Sequence, residues 1–167
     1  MKILLAVDGS DCSEDTVAAV VSRPWPKGTI VRVLSVVPPI VVLTPEMAIY
    51  SSESLKRGQE KATKEAKEFT SRVSDWLRST GLPSETTVRS GEPRSVILEE
   101  AQGWDADLVV VGSHGHKGFK RWLLGSVAQS VVSNAGCSVE VVRQKASNQL
   151  IEELGSTKAN VSHAAAS

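Results

Sequence analysis

Short, largely apolar runs alternate along the chain with longer amphipathic segments. The run at 3–7, ILLAV, lacks a polar alternation, which is typical of a strand that is covered on both faces of a sheet. With the turn residues that flank them, the apolar runs predict five strands, at residues 3–7, 29–37, 85–90, 107–111 and 138–142.

Helices are predicted between the strands, at residues 13–21, 55–76, 93–102 and 126–134. Ser10, Asp11 and Ser13 offer oxygens that would cap the first helix. The longest helix has one apolar face that we expect to lie in the core, formed by Leu55, Ala62, Ala66, Phe69, Val73 and Trp76. The regular alternation of strand and helix predicts an α/β fold, an open parallel sheet with helices on both faces.

Two segments fall outside this pattern. The connection at 38–54 is apolar for a loop, which indicates that it packs on the core, a ligand or a partner. The segment at 145–167 is small and polar and is predicted to be a flexible tail, which leaves residues 1–144 as a single domain.

Composition narrows the functional classes. The formal net charge is zero, which argues against a general nucleic-acid-binding protein. Cys12 and Cys137 have neither metal-site nor disulfide-framework spacing, so we expect reduced thiols and a cytoplasmic protein. No segment approaches the roughly 20 apolar residues that span a bilayer, so no membrane span is expected.

The stretch VVVGSHGHKGFKRWLLGSVAQSVV at 109–132 carries the candidate chemistry. Its loop follows the fourth strand, and Asp8 follows the first; both would face one crevice if the strand order reverses between them. Gly112 and Gly115 would permit positive φ and close backbone approach to a ligand. Gly125 and Ser126 begin a helix whose free N–H groups favour an anion.

Three basic side chains in the same loop would make the local electrostatic potential more positive and so favour an anion. They are Lys117, Lys120 and Arg121. The loop has neither the GxxxxGK[ST] nor the GxGxxG spacing. These residues alone are consistent with two interpretations of the loop. It is either a phosphate site or a pair of tight turns with solvated charges.

Two glycines three residues apart, then nine residues, then Gly-Ser, resemble the nucleotide-binding motif of the universal stress protein family. The opening ILLAVDGS, the turn GEP at 91–93 and the closing NAGCSVEVVR are similar to the family as well, over about residues 1–143. The resemblance implies a Rossmann-like five-stranded sheet of order 3-2-1-4-5, a homodimer and, in the ATP-binding branch, one ATP per subunit. The fifth strand, Ser138 to Val142, would form the dimer contact, because an apolar edge needs protection.

The resemblance also implies the binding residues. Ala6 and Val7 would line the base, and Val36 would contact adenine through its backbone. Asp8 would meet the ribose or a metal such as Mg²⁺ near the phosphates, and a third role is to cap the first helix. The remaining positions would surround the ribose and phosphates: Gly112, His114, Gly115, Gly125, Ser126 and Val127.

We therefore predict an ATP-binding stress-response protein that acts as a dimeric sensor or regulatory module, with slow or no hydrolysis. A slow ATPase or phosphotransfer enzyme is an alternative, and a nucleotide-free dimer acting through protein partners is another. No catalytic residue is assigned, because the sequence offers no Walker lysine and no residue placed to orient an attacking water.

Overall fold

The computed structural model of the protein describes residues 1–40, 52–115 and 124–143. Five strands are formed in these ranges: β1 (Lys2–Ala6), β2 (Ile30–Val37), β3 (Ser84–Ser90), β4 (Leu108–Gly112) and β5 (Ser138–Val142). The same ranges contain four helices between the strands: α1 (Asp11–Val21), α2 (Ser52–Ser79), α3 (Pro93–Gly103) and α4 (Ser126–Asn134). The alternation predicted from the hydrophobic pattern is confirmed.

All the strands pair in parallel and form one sheet in the order β3-β2-β1-β4-β5. The chain first builds outward from β1 through β2 to β3, then returns to the other side of β1 with β4 and β5. The order therefore reverses between β1 and β4, as the sequence predicts for a doubly wound sheet.

Each face of the sheet carries its own apolar core, because alternate strand residues point to opposite faces. One core packs α1 and α2 on the sheet and includes Ile3, Leu5, Val17, Val20, Val33, Leu77 and Val110. The other packs α3 and α4 and includes Leu4, Leu34, Ile97, Ala101, Val109, Ala128 and Val131. Both faces are covered, which explains the nearly continuous apolar runs of β1 and β4.

The longest helix, α2, corrects one prediction. Val73 and Leu77 are buried and Phe69 packs on the core, but Trp76 is 44% exposed. A helix turns about 100° per residue, so the residue four positions after Val73 stays on the core face. Leu77 fills that position, and Trp76 is rotated toward the solvent side.

Several predictions concern residues outside the described ranges: most of the 38–54 connection, the basic residues of the glycine loop and the 145–167 tail. Within the described ranges, no helix combines the length and the apolar character needed to cross a membrane.

Candidate functional site

The candidate site lies where the strand order reverses. β1 and β4 are direct neighbours, with Ala6 paired with Val111 near their carboxyl ends. The chain leaves β1 for α1 on one face of the sheet and leaves β4 for the α4 face on the other. The two turns therefore diverge from the point where the strand order reverses, and the crevice expected there is the usual ligand position in such sheets.

Asp8 is an exposed carboxylate held in a fixed orientation at the end of β1. Its Oδ1 accepts hydrogen bonds from the Ser10 amide at 3.0 Å, the Ser10 hydroxyl at 2.6 Å and the Ser13 hydroxyl at 2.7 Å. Ser13 Oγ also accepts from the Asp8 amide at 2.9 Å. Ser10 is the N-cap residue of α1 but makes no side-chain cap bond, so its predicted capping role is replaced by the bond to Asp8.

The loop after β4 meets this carboxylate at Gly115. A Cβ atom on Gly115 would lie 2.5 Å from Asp8 Oδ2, well inside van der Waals contact. The geometry of both turns thus depends on the missing side chain, and the structure brings the predicted residues Asp8 and Gly115 together.

The other two glycines of the motif are also required for space. A Cβ atom on Gly112 would lie 2.9 Å from Cys12 Sγ, and one on Gly125 would lie 2.9 Å from the Ser113 carbonyl oxygen. Neither Gly112 nor Gly115 has a positive φ, whereas Gly9 in the first turn does, at 82°. The prediction that the motif glycines supply positive φ is wrong; they allow close packing instead.

Ser113 and His114 add a second pair of polar groups between two of these glycines. Ser113 is 2% exposed, and its Oγ lies 3.0 Å from His114 Nδ1. The other ring nitrogen, Nε2, is shielded from water and has no hydrogen-bond partner among the residues that the structure describes. A buried, unpaired ring nitrogen costs about 1–3 kcal/mol and is the group that a ligand oxygen would satisfy.

The N-terminus of α4 faces the same turn. The Gly125 amide donates to the Ser113 carbonyl at 2.8 Å, which fixes where the helix begins. Gly125 is the N-cap and contributes no side-chain cap bond, and Ser126 is exposed beside it. The first N–H groups of a helix have no intrahelical acceptor, so this end of α4 attracts an anion.

Apolar residues border the crevice on the α4 side of the sheet. Ala6, Val36 and Val127 are partly buried and pack against the same core. Val7 is 5% exposed and belongs to the opposite core. A flat apolar group could therefore rest on Ala6 and Val36, whereas Val7 can offer only its backbone to a ligand.

These groups fit a nucleoside phosphate: an apolar surface, an oriented carboxylate, an imidazole nitrogen without a partner in the described part of the chain, and an open helix N-terminus. The same groups do not form a metal site in the described part of the chain. Within the described ranges, no cluster of three or more His, Cys, Asp or Glu side chains is placed to hold an ion.

The sequence predicted Ser13 only as a cap of the first helix and did not predict Ser113. Both are buried serines, and their hydroxyls lie within hydrogen-bond distance of Asp8 and His114. Their position within a few residues of Asp8 and Gly112 was the available signal. Serine is common near turns and helix starts, so that signal alone carries little weight.

The chain is similar to known proteins over most of its length. A model of the universal stress protein family matches residues 1–143. Universal stress protein Sll1388 of Synechocystis sp. is 30% identical over 152 residues, which cover 85% of this chain and 97% of that protein. Universal stress protein MJ0531 of Methanocaldococcus jannaschii is 34% identical over 146 residues, 86% of this chain and 82% of that protein.

Solved structures show the same fold. Universal stress protein UspA from Lactobacillus plantarum superposes with a TM-score of 0.72 at 25% identity, covering 86% of this chain and 97% of its own. A family protein from Arabidopsis thaliana, solved with AMP bound, has a TM-score of 0.58 at 18% identity, with 89% and 94% covered. The universal stress protein from Archaeoglobus fulgidus in complex with dAMP has a TM-score of 0.55 at 22% identity, with 84% and 96% covered. From the family match and the curated relatives together, the chain belongs to the universal stress protein family.

Proposed function

We propose that this protein binds an adenine nucleotide, ATP or a close relative, at the carboxyl ends of β1 and β4. In this proposal it acts as a dimeric sensor or regulatory module of a stress response. The observation that carries the proposal is the convergence of Asp8, Gly115 and the N-terminus of α4 at the strand-order reversal.

The phosphates are assigned to the α4 side of the crevice. The backbone N–H groups of Ser126 and Val127 and the Ser126 hydroxyl would donate to phosphate oxygens. Gly112, Gly115 and Gly125 would allow the turns around the ligand to pack closely, because side chains there would collide with the protein itself. His114 adds a ring nitrogen to the same turn.

The base and the sugar are assigned to the part of the site beside β1 and β2. Adenine would rest against Ala6 and Val36, with polar contacts from the backbone of Val36 and Val7. Asp8 would accept a hydrogen bond from a ribose hydroxyl, since its Oδ1 is already engaged by three donors and its orientation is fixed. Mg²⁺ accompanying ATP would then be held mainly by phosphates and water, as Mg²⁺ often is in nucleotide sites.

Structural neighbours support the ligand class. Proteins of this fold hold AMP, dAMP and cAMP. The three ligands share an adenine nucleoside and one phosphate, and they differ in the sugar hydroxyls. They support an adenine nucleotide in general, and ATP is the more specific part of the proposal.

The dimer is assigned to β5, the edge strand beside β4. Its residues Val139 and Val141 pack on the core, so the strand is anchored while its outer backbone groups face away from β4. Pairing with the same strand of a second copy would protect that edge and give a two-fold dimer. We also propose a cytoplasmic location, which agrees with the free thiols of Cys12 and Cys137.

No residue is proposed as catalytic, and hydrolysis is expected to be slow or undetectable. Rapid phosphoryl transfer requires an oriented nucleophile and strong stabilisation of charge on the transferred group. The proposed role for bound ATP is to change the assembly or the partner surface of the protein.

Calorimetric titration of the nucleotide-stripped protein with ATP tests the proposal, with GTP as the control for base recognition. We expect one ATP per chain and weaker binding of GTP, because guanine carries a carbonyl oxygen where adenine would offer its amino group to the backbone of Val36 and Val7. Equal affinity for the two nucleotides would remove the adenine assignment. No binding of either nucleotide would overturn the proposed function.

A further inference from the structure

The long helix α2 reaches beyond the sheet at the edge where the nucleotide is assigned. It has 28 residues and is therefore about 42 Å long, whereas the 8 residues of β2 span roughly 26 Å. The C-terminal part of α2 lies beside the start of β3, where the hydroxyl oxygens of Ser74 and Ser84 are 2.8 Å apart. The N-terminal part therefore extends past the carboxyl ends of the strands.

This N-terminal part of α2 holds the chain as it leaves β2. Gln59 Oε1 accepts a hydrogen bond from the Ile40 amide at 3.1 Å, and Gln59 Nε2 lies 3.4 Å from the Pro38 carbonyl oxygen. Ile40 also packs on the helix, since a Cβ atom on Gly58 would lie 3.0 Å from Ile40 Cδ1. Residues 38–40 are thus tied to α2 by one side-chain amide and one close apolar contact.

The prolines explain why a side chain is used for this purpose. Pro38 and Pro39 have no backbone N–H, so this segment cannot continue the hydrogen-bond ladder of β2. A glutamine side chain carries both an acceptor and a donor, and it can therefore bond an amide and a carbonyl of the same segment. Gln59 takes the place that a neighbouring strand would otherwise have.

Just before this segment, Val36 directs its backbone to the side of β2 on which β1 lies. The Leu34 carbonyl accepts from the Val7 amide on that side, whereas the Val37 carbonyl accepts from the Gly91 amide on the β3 side. Alternate residues of a strand share an orientation, so Val36 faces the same way as Leu34. It lies two residues beyond the last residue of β2 that is paired with β1. Its N–H and C=O are therefore directed past the end of β1, where adenine is assigned.

A backbone N–H and C=O in fixed positions can distinguish adenine from guanine. Adenine carries an amino donor at the position where guanine carries a carbonyl acceptor. A site built to bond one of these groups discriminates against the other, which leaves polar groups unpaired. Hydrogen bonds weaken as they become misaligned, so the discrimination depends on how firmly the end of β2 is held.

We propose that Gln59 is a positioning residue for adenine recognition: by holding Pro38 and Ile40 it fixes the end of β2, so that Val36 presents its N–H and C=O to the base. The inference rests on the proposed function. It adds a determinant of base specificity that lies on α2, outside the residues assigned to contact the nucleotide.

Calorimetry with ATP and GTP tests this role in the parent protein, Gln59→Met and Gln102→Met. Methionine keeps the length and the helix propensity of glutamine but has no N–H group and no carbonyl oxygen. Gln102→Met is the matched control, because Gln102 is an exposed glutamine on α3. We expect a roughly 3- to 10-fold loss of ATP affinity in Gln59→Met, with GTP affinity within about twofold of the parent value.

The ratio of the two affinities separates positioning from a structural role. Loss of a merely structural contact would weaken ATP and GTP by the same factor, and that result overturns the proposal. So does an unchanged ratio with unchanged affinities. Gln102→Met should retain both parent affinities.

Backbone NMR tests the contact independently of binding. Removal of the hydrogen bond in Gln59→Met should shift the Ile40 amide resonance, and the response of the Val36 amide to ATP should become smaller. An Ile40 resonance at the same position in the parent and in Gln59→Met would show that Gln59 does not hold this segment. That result overturns the proposal whatever the affinities are.

The two proposals fail differently. A parent protein that binds ATP and GTP equally well removes the adenine assignment, and the role of Gln59 falls with it. A parent that prefers ATP, beside a Gln59→Met variant with the same preference, leaves the proposed function intact and overturns the Gln59 inference alone.

Discussion

Gly115 passes Asp8 so closely that a Cβ atom on the glycine would lie 2.5 Å from the Oδ2 atom of the carboxylate. Asp8 cannot easily swing away, because its Oδ1 holds hydrogen bonds from Ser10 and Ser13. The turns after β1 and β4 are therefore fitted to each other, and the crevice between them is sensitive to a single methyl group.

Gly115→Ala is predicted to disturb this junction. Adding a methyl group where there is no room costs about 1–3 kcal/mol of stability, through displacement of Asp8 or of the loop. ATP affinity should fall by about tenfold or more, equal to roughly 1.4 kcal/mol. Urea unfolding and calorimetric titration measure the two effects.

Gly136→Ala is the matched control, because a Cβ atom there has nothing within 4 Å. Its stability should change by no more than about 0.5 kcal/mol, as at other open positions. ATP affinity in Gly115→Ala equal to that of the control would show that this junction is not part of the binding site.

Ser13→Ala is predicted to weaken ATP binding indirectly, by releasing the side chain of Asp8. The Ser13 hydroxyl both accepts from the Asp8 amide and donates to Oδ1, so its loss frees the carboxylate to rotate. We expect about 1 kcal/mol of lost stability for the hydrogen bonds, with weaker binding of ATP. A double-mutant cycle with Asp8→Ala separates this coupling from general destabilisation.

In the Asp8→Ala background, Ser13→Ala should leave ATP affinity unchanged, because the group that Ser13 orients is gone. Strictly additive losses in the cycle would mean that Ser13 influences binding by another route. Ser10→Ala is the comparison variant, since its backbone amide still donates to Oδ1 after the hydroxyl is removed.

Val141→Pro is predicted to shift the proposed dimer toward monomer. The Val142 carbonyl accepts from Ser113 on the β4 side, so the backbone groups of the preceding residue point to the open edge. Proline removes that outward N–H, and an edge strand tolerates the change. Sedimentation should show more monomer than for Val141→Ala, which loses only side-chain packing. Equal dimer content in the two variants would argue against pairing through β5.

Glu92 gives the fold a pH dependence at the start of α3. Its carboxylate accepts from the Ser95 amide at 2.9 Å as the N-cap of the helix. Partial burial tends to raise the pKa of Glu92, but hydrogen bonds from Ser95 and Arg94 and the Arg94 charge lower it below its ordinary value on balance. A lowered pKa in the folded protein means that the charged form adds stability above the unfolded-state pKa. That contribution is lost as the pH falls through the folded-state pKa.

Glu92→Ala should therefore lose about 1 kcal/mol at pH 7, the usual value of an N-cap, and less at pH 3. Urea unfolding at the two pH values measures the difference. Glu99→Ala on the same helix is the control, because Glu99 makes a single ion pair within the described residues, with the exposed Arg89 at 3.8 Å. An equal loss for Glu92→Ala at both pH values would contradict the capping account.

The sequence predicted the strands, the helices and the α/β class because hydrophobic periodicity and turn residues are local properties. It also placed Asp8 and the glycine loop at one crevice, since parallel strands end at one edge. The role of Gly112 was different: its neighbour is Cys12, a contact between distant segments that no local pattern encodes. Trp76 was misplaced for a related reason, because a helix face is defined by its tertiary partner as well as by its spacing.

The contacts of the buried serines are also not encoded in any local sequence pattern. Ser13 and Ser113 are ordinary residues in the sequence, and their roles arise only from the distances to Asp8 and His114. The open first turn of α4 was easier to predict, because a Gly-Ser pair before an apolar helix is itself a local pattern.

A backbone amide NMR titration with ATP tests the central claim most directly. The account predicts that the largest shifts fall on Asp8, on residues 113–115 and on residues 125–127, with saturation at one ATP per chain. Small shifts are expected at Trp25 and Gly81, which line a cavity of about 480 Å³ between the α1–β2 and α2–β3 turns. Shifts centred on that cavity, or no saturable shifts at all, would contradict the account.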